Sequence, residues 1–386
     1  MPISIDDFKM AARQAYTALK PAFDAEATVF FWRLGHSFDT IVDYFLSTDG
    51  SDANNFAAIA IKKYNDGGGA WYDDFGWWGI SGLKASTARV FGGNDVVFRS
   101  MALACWDKMA TNAPYGWQRA DQKKFANFAP LFDGGVWNHI VDDGCHPGGA
   151  DQLCGRQNTV TNASYLVLAE RLSLDKNVPP NPAYGAAARQ EHQFLNNWFY
   201  LAQKPADLAL MNNYAAGRAV VRERVGTFRS GVTDPGYRKD LAWAGDQGLI
   251  LGGLVDRMRI VTRSSPEYPV LLATARKLLA GTREYLTAQK AEPGILQPWW
   301  PGGAPGDDDD DYWTGPAVYM RYLLDAFRND DLKTDLLAPA YQAFIRANAE
   351  YVVNNPGRPQ SGDTVVNLTN NLAILVAAIA MLATDA

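Results

Sequence analysis

The stretch GGGAWYDDFGWWGISGLKA, residues 67–85, places two adjacent carboxylates, Asp73 and Asp74, among aromatic side chains. Two neighbouring like charges cost free energy unless a partner or a proton stabilises them. Burial among aromatic rings raises the pKa of a carboxyl group, and a second carboxylate pushes the two pKa values further apart. The pattern therefore predicts one ionised and one protonated group at neutral pH. The alternative interpretation is a helix N-terminus, where acidic residues are favoured as caps.

A pair of this kind meets the requirement of glycoside hydrolysis through a covalent intermediate, in which two carboxyl groups stand about 5–5.5 Å apart. Aromatic residues make up 12% of the chain, and their rings stack on the C–H faces of sugars or fill cores. The aromatic candidates for a sugar platform are Trp71, Tyr72, Trp77, Trp78, Trp137, Trp243 and Trp313. We expect part of this set to pack in the core instead.

Polar residues at helix starts and loop ends are the second group of substrate-binding candidates. They are Asn138, Asn158, Asp246 and Gln247, whose side chains could hydrogen-bond sugar hydroxyls. These positions are where the cleft of a helical barrel would lie. Together with the aspartate pair they predict a carbohydrate substrate.

Charge and hydropathy narrow the function classes. The net charge of −6 over 386 residues, with no basic stripe, argues against nucleic acid, whose binding needs a basic surface. No uninterrupted run of 18 apolar residues could span a bilayer, since the last apolar stretch is broken at Asn367 and 369–371. The N-terminus MPISIDDFKM lacks the apolar region of a signal peptide.

Helical periodicity runs through nearly the whole chain. In NDVVFRSMALACWDKMAT, residues 94–111, Asn94 can cap a helix with a single apolar stripe. We count about twelve such segments, near 5–20, 36–47, 52–64, 73–90, 94–111, 158–174, 183–202, 242–262, 267–288, 311–328, 335–354 and 364–384.

Twelve helices predict six helical hairpins arranged as an all-α (α/α)6 barrel, with six inner helices inside six outer ones. Inner helices should be apolar nearly all round, as GLILGGLVDRM (248–258) and NNLAILVAAIAMLA (370–383) are. An α-solenoid is the alternative, but it should show a regular repeat, and none is visible. No composition shift marks a boundary, so we expect one catalytic domain over residues 1–386.

The aspartate stretch WYDDFGWWGISGLKA resembles the catalytic stretch of glycoside hydrolase family 76, the endo-α-1,6-mannanases. Four further segments resemble motifs of that family in the same chain order, and the resemblance covers roughly residues 30–355. These segments are DGGVWN (133–138), QNTVTNASYLVLAERL (157–172), LAWAGDQGLILGGLVD (241–256) and DYWTGPAVYMRYLLDAF (311–327).

The resemblance implies an (α/α)6 barrel and a retaining glycosidase with Asp73 as nucleophile and Asp74 as general acid/base. It also implies an extracellular protein. The chain departs from the family pattern at Gln157, Asp246 and Thr314, which correspond to cleft positions of the family. Mannan is therefore the leading substrate candidate rather than an established one.

Two other functions stay open. A sugar epimerase or polysaccharide lyase on the same barrel would depend on paired histidines, for which His139 and His192 are the candidates. A glycan-binding protein without catalysis would release no product. An exchange of either aspartate for asparagine separates these functions, because it should abolish only the hydrolase.

Further residues with chemical potential have structural interpretations. Cys105 lies in an apolar helix and is expected in the core, whereas Cys145 and Cys154 could close a short disulfide or stay free. VDDGCHPGG (141–149) lacks the ligand spacing of a metal site, and the aspartate run 307–311 fits a solvated loop better than a calcium site. We expect a monomer without metal or cofactor.

Overall fold

The computed structural model describes residues 3–48, 50–69, 71–112, 135–138, 158–202, 217–223, 241–287, 293–300, 309–356 and 363–383. Within these ranges twelve helices have 13 or more residues. Each of the twelve predicted segments corresponds to one of them, with bounds shifted by a few residues. The all-α prediction is confirmed.

The long helices are α1 Ile5–Ala25, α2 Phe31–Ser47, α3 Ala53–Asp66, α4 Tyr72–Ala88, α5 Asp95–Asn112, α6 Thr159–Leu174, α7 Pro182–Ala202, α8 Ala244–Ile260, α9 Glu267–Tyr285, α10 Gly315–Phe327, α11 Pro339–Asn354 and α12 Thr364–Leu382. Short helical turns are Gly50–Asp52, Asp309–Tyr312 and Asp330–Leu336. Two short strands, β1 Ala242–Trp243 and β2 Trp299–Trp300, pair antiparallel.

The even-numbered helices close into a ring. Helix α2 packs on α4, α4 on α6, α6 on α8, α8 on α10, α10 on α12, and α12 again on α2. The odd-numbered helices lie outside this ring, and each packs on an inner neighbour: α1 and α11 on α12, α3 on α2, α5 on α4, α7 on α6 and α9 on α8. This arrangement is the predicted (α/α)6 barrel.

Sequence pattern accounts for which helices are inner and which are outer. Outer helix α1 buries a single stripe that includes Phe8, Ala12, Leu19 and Phe23, and Ser4 caps its first turn. Inner helix α12 is buried nearly all round, from Val365 to Leu382. A helix that is apolar on all sides gains most free energy where other helices cover every side of it.

Helix α12 also has the length and apolar composition of a membrane span, despite its asparagines, whereas we expected no such stretch. Its residues are mostly buried between α1, α2, α10 and α11 of the barrel. The core position accounts for the apolar composition.

The ring has an N-terminal end, where the inner helices begin, and a C-terminal end, where they finish. Buried ion pairs cross the C-terminal end. Lys84 of α4 pairs with Asp39 and Asp43 of α2, and Arg171 of α6 pairs with Asp256 of α8 and Asp325 of α10 at 2.7 Å each. Arg321 of α10 pairs with Asp39 at 3.0 Å and links these two groups, so that ion pairs join five inner helices.

Candidate active site

Asp73 lies in the first turn of α4, at the N-terminal end of the ring, and points towards the start of α6. The Oγ1 hydroxyl of Thr161 donates a hydrogen bond to Asp73 Oδ2 at 2.9 Å. The Asn158 side chain also hydrogen-bonds Asp73. Asn158 caps α6 and accepts the Thr161 backbone N–H at 3.3 Å, so one helix start places both partners. Thr161 was missed by sequence reasoning, although it stands three residues after the cap.

Burial raises the pKa of Asp73 to about 6, and the hydrogen bonds from Thr161 and Asn158 act in the opposite direction. Desolvation favours the neutral carboxyl, whereas donors to the ionised form favour the charge. The sequence predicted that one member of the pair would hold its proton more tightly. The structure assigns the raised pKa to Asp73, the residue that the family resemblance makes the nucleophile.

Asp74 points in a different direction, because consecutive residues of a helix are rotated by about 100°. Its Oδ2 accepts the backbone N–H of Trp71 at 3.1 Å, which is the reciprocal bond of a helix cap. The carboxyl is only 5% exposed. A β-carbon at Gly69 would lie 2.6 Å from the Asp74 Cβ, so only glycine lets the preceding backbone cover this residue. One oxygen of Asp74 therefore serves as a helix cap, and this bond leaves its catalytic role a prediction.

The segment 135–138 lies against the starts of α4 and α6. Val136 donates its N–H to Asn162 Oδ1 at 2.7 Å, and the Asn138 carbonyl accepts the Tyr72 N–H at 2.8 Å. Trp137 is half-buried, and Asn138 is buried. The segment thus brings two predicted substrate-binding residues next to the aspartate pair, while their contact with a sugar stays a prediction.

Gln247 in the first turn of α8 has a structural role, which corrects its assignment to sugar binding. Its Oε1 accepts the Val221 N–H at 2.7 Å, and its Nε2 donates to the carbonyls of Val221 and Trp243 at 2.8 and 2.9 Å. The side chain is 0% exposed. Both amide hydrogens are engaged, so none is left for a hydroxyl.

The same device recurs at three other described positions, one of which is Asn370 of α12, which accepts the Ala317 N–H at 3.0 Å and donates to the Trp313 carbonyl at 2.7 Å. Asn162 of α6 bonds the N–H and the carbonyl of Val136, and Asn348 of α11 bonds the Leu296 N–H and the Gly294 carbonyl. In each case a helix amide holds the backbone of a connecting segment. The brackets of Asn162, Gln247 and Asn370 lie near the starts of inner helices, whereas Asn348 lies in the middle of outer helix α11.

Several predicted sugar platforms lie in the core. Trp78 is 0% exposed, and its Nε1 donates to the Phe31 carbonyl at 2.8 Å, so the prediction that it stacks on substrate is wrong. Trp77, Tyr72 and Trp243 are also buried. Helical spacing places these rings towards neighbouring helices rather than towards the opening. In the quoted stretch, Trp71 is the tryptophan that stays half-buried.

A second aromatic group lies at the starts of α8 and α10. Trp313 and Trp299 are half-buried, with ring centroids 4.8 Å apart at an interplanar angle of 73°. Trp299 is held by strand pairing with Trp243, and the Trp243 Nε1 donates to the Tyr312 carbonyl at 2.7 Å. Trp299 was missed; the Trp-Trp dipeptide in a Pro/Gly-rich connection was the available signal.

The remaining polar candidates are buried. Asp246 is 0% exposed in the first turn of α8, where the helix N-terminus favours negative charge. Thr314, one of the departures from the family pattern, is buried and donates to the Asp311 carbonyl at 2.6 Å. Substrate binding by Asp246 stays a prediction.

The other sequence-based predictions have mixed outcomes. Cys105 is a buried free cysteine, as predicted. His192 contacts Glu170 at 2.8 Å between α6 and α7, and burial raises the pKa of Glu170 to about 7. His139, Gln157, the 141–149 stretch, Cys145 and Cys154 lie outside the described residues, as does the start of the aspartate run. Within the described ranges, no cluster of three or more potential metal ligands occurs.

Known proteins resemble this chain in their solved structures. Neither a protein-family model nor a curated protein sequence matches the chain. Among solved structures, an inactive variant of the GH76A α-1,6-mannanase of Salegentibacter sp. HEL1_6, with two consecutive aspartates replaced by asparagine and α-1,6-mannotriose bound, matches with a TM-score of 0.64. The match has 12% sequence identity and covers 97% of this chain and 99% of that one.

Two further structures agree with the first. The GH76 α-mannanase of Bacteroides thetaiotaomicron matches with a TM-score of 0.61 at 10% identity, covering 98% of this chain and 97% of that one. Dfg5 from Chaetomium thermophilum, in complex with glucosamine, matches with a TM-score of 0.61 at 15% identity, covering 91% and 80%. The chain shares the fold of these proteins, so the predicted family resemblance is confirmed at the level of fold.

Proposed function

We propose that the chain is a single-domain retaining glycoside hydrolase that cleaves an α-linked polysaccharide or oligosaccharide, with α-mannan as the leading candidate. One observation carries the proposal: Asp73 and Asp74 stand together at the N-terminal end of the ring, with the Asp73 carboxyl oriented by Thr161. Fold and charge alone would fit many functions. A partly buried carboxyl with a raised pKa beside a second acid is typical of glycosidase chemistry.

The solved structures support this choice of chemistry and substrate. In the Salegentibacter mannanase, the variant with two consecutive aspartates replaced is inactive and holds α-1,6-mannotriose. This chain has its own consecutive aspartates at the start of an inner helix of the same fold. Asparagine keeps the size of the side chain but removes its charge and its proton, so the comparison supports a catalytic pair here.

The proposed reaction has two steps. An Asp73 oxygen attacks the anomeric carbon as the glycosidic bond breaks, and Asp74 gives its proton to the leaving oxygen. A glycosyl ester on Asp73 results. Asp74 then takes a proton from water, whose oxygen attacks the anomeric carbon and frees Asp73. Two inversions give net retention, and both carboxyl groups return to their starting states.

The raised pKa of Asp73 fits this role above pH 6. With a pKa of about 6, the group is ionised in about nine molecules of ten at pH 7. Burial makes the carboxylate less well solvated and therefore more reactive, whereas Thr161 and Asn158 fix its direction. The same pKa would also suit a general acid below pH 6, so the two roles need a direct test.

The first experiment measures reducing-end release from a panel of α-glycans, α-1,6-mannan included. We expect activity of the wild type on at least one glycan and a loss of about 10³-fold or more in Asp73→Asn and Asp74→Asn. Asp6→Asn is the matched control, because Asp6 is an exposed residue of outer helix α1. Full activity in either catalytic-pair variant, with the fold intact by circular dichroism, would refute the proposal.

Rescue by azide separates the two roles. In Asp73→Ala, azide should take the place of the nucleophile and yield a glycosyl azide of inverted configuration. In Asp74→Ala, azide should replace water in the second step and yield a glycosyl azide of retained configuration. The opposite assignment of configurations would exchange the roles of the two aspartates.

The alternatives find less support. His192 lies between α6 and α7 with Glu170, and the described contacts do not bring it to Asp73. A histidine-based epimerase or lyase is therefore not favoured by a described contact. A glycan-binding protein would bind oligosaccharides in the same assay without releasing reducing ends.

A further inference from the structure

A cavity of about 540 Å³ opens at the C-terminal end of the ring, at the opposite end of the inner helices from Asp73. Its walls come from the last turns of α2, α4, α6, α8 and α10. Binding sites for small organic molecules usually have volumes of about 300–1,000 Å³. The proposed glycosidase chemistry, at the other end of the ring, does not use this space.

Two of the three carboxylates in the cavity wall, Asp256 and Asp325, are each engaged by two arginines, whereas the buried Oδ2 of Asp175 has no hydrogen-bond partner among the described residues. Asp256 accepts a hydrogen bond from Arg171 at Oδ2 and one from Arg259 at Oδ1. Asp325 receives Arg171 on Oδ2 at 2.7 Å and Arg328 on Oδ1 at 2.8 Å. At Asp256 and Asp325, a ligand that needs hydrogen-bond acceptors would therefore have to compete with guanidinium groups already in place.

The arginines, in contrast, keep unused donors. A guanidinium carries five N–H donors. Arg171 bonds through Nε and Nη2, Arg259 through Nη1 and Arg328 through Nη1, with Arg328 Nη2 at 3.7 Å from Asp43. The other donors of these groups have no hydrogen-bond acceptor among the described residues. Arg259 and Arg328 are 37% and 40% exposed, so they lie at the mouth.

The charge around the cavity is nearly balanced. The lining contains four cationic side chains and three carboxylates, and one of these, Asp175, accepts from Asn177 near the rim. The ends of the inner helices add partial negative charge. The net charge of the cavity therefore does not attract an anion strongly. An anion would have to be bound by hydrogen bonds from the unused guanidinium donors.

The rest of the wall is apolar. Leu46, Leu83 and Leu174 line the cavity, and Leu46 and Leu174 are exposed at its edge. We propose that this cavity binds a small organic anion. Its oxyanion head would accept hydrogen bonds from Arg259 and Arg328, and its hydrocarbon body would lie against the three leucines. Planar guanidinium groups bind carboxylate and phosphate oxygens in pairs, which suits such a head.

Isothermal titration calorimetry with four probes tests the two halves of the proposed ligand. Benzoate and phenyl phosphate carry an oxyanion on an apolar ring, inorganic phosphate has the charge alone, and benzyl alcohol has the ring alone. We expect benzoate or phenyl phosphate to bind at least about tenfold more tightly than inorganic phosphate and than benzyl alcohol. The stronger of these two identifies the head group.

Three variants locate the binding. Arg259→Gln and Arg328→Gln remove donors at the mouth and should each weaken binding by about tenfold. Ala88→Phe keeps every charge and fills the cavity, so it should abolish binding. Arg276→Gln, which breaks an ion pair with Asp335 on the outer surface, is the matched control and should bind as the wild type does.

Three outcomes would overturn the proposal. Inorganic phosphate binding as tightly as the organic anions would show a simple ion contact. Benzyl alcohol binding as tightly would show an apolar contact only, and unchanged binding in Ala88→Phe would place the site elsewhere. The result does not depend on the proposed hydrolase activity, because these titrations use no glycan and leave Asp73 and Asp74 unaltered.

Discussion

The pKa of an aspartate is shifted in opposite directions at the two ends of the ring. At the N-terminal end, burial raises the pKa of Asp73 to about 6, and its described partners are hydrogen-bond donors. At the C-terminal end, burial alone would raise the pKa of Asp325, but Arg171, Lys84 and Arg328 hold that pKa well below its ordinary value. The same side chain on the same kind of helix is therefore held ionised at one end and keeps a pKa closer to neutrality at the other.

This difference follows from which partner each end supplies. Ion pairs at the C-terminal end join five inner helices, whereas amide brackets such as Gln247 hold neutral backbone at the N-terminal end. A catalytic carboxyl needs a pKa near the working pH, which a strong ion pair would prevent. The comparison teaches that Asp73 keeps a pKa near 6 because its described partners are neutral donors, while the buried cation at this end, Arg33, is engaged by Glu26 and Asp363.

The largest expected effect is on stability at the C-terminal end. Arg171→Met should lower the free energy of unfolding by about 3–5 kcal/mol, because it leaves Asp256 and Asp325 buried without their shared cation. Urea unfolding followed by circular dichroism measures this loss. Arg276→Met, on the surface, should cost about 1 kcal/mol or less. Equal effects of the two substitutions would contradict the role of the ion-pair network.

The second prediction concerns the amide brackets at the N-terminal end. Gln247→Ala should destabilise the fold by about 2–3 kcal/mol, since the Val221 N–H and carbonyl lose their partners. Thermal unfolding measures the effect. A sugar-binding residue would instead change the KM with little change in stability, and that result would restore the original assignment of Gln247.

The third prediction is a gain in stability where function is lost. The folded pKa of Asp73, about 6, exceeds the ordinary value of 3.8, so folding favours the protonated form. The contribution of this group is fully present below about pH 4 and is lost as the pH rises through 6. Asp73→Asn should therefore raise the free energy of unfolding at pH 7.5 by about 2 kcal/mol. Unfolding at pH 4 and 7.5 gives the comparison, and destabilisation at pH 7.5 would contradict it.

The smallest effect sharpens the role of Thr161. If Asp73 is the nucleophile, kcat/KM should rise with pH through about 6, because the ionised form attacks. Thr161→Val removes a hydrogen-bond donor to the ionised Asp73 carboxylate. It should therefore shift the rising part of the kcat/KM profile to higher pH, by about half a unit. Thr161→Ser keeps the hydroxyl and should leave the rising part of the kcat/KM profile at the wild-type pH. A rate that falls through pH 6 would instead make Asp73 the general acid.

The fold could be predicted from the sequence because helical periodicity and all-round apolar helices are local patterns. Inner helix α12 and outer helix α1 are examples. The aspartate pair could be predicted for the same reason, since Asp73 and Asp74 are neighbours among aromatic residues. Trp78 was misassigned because the sequence does not show which face of α4 meets α2.

The parts that escaped prediction join residues far apart in the chain. Thr161 lies 88 residues from Asp73, and Arg171 lies 154 residues from Asp325. Such contacts depend on the order in which helices close the ring, which no local pattern records. The loss of Gln247 as a sugar ligand has the same origin, because Val221 is brought to it by the tertiary fold.

The central claim is that the N-terminal end of the ring cleaves glycosidic bonds through Asp73 and Asp74. Proton NMR of the first product released from an α-1,6-mannan tests it most directly, because the anomeric signals are read before mutarotation. The account predicts that the α-anomer forms first and that neither Asp73→Asn nor Asp74→Asn gives product. A β-anomer as first product, or the same product from either variant, would contradict it.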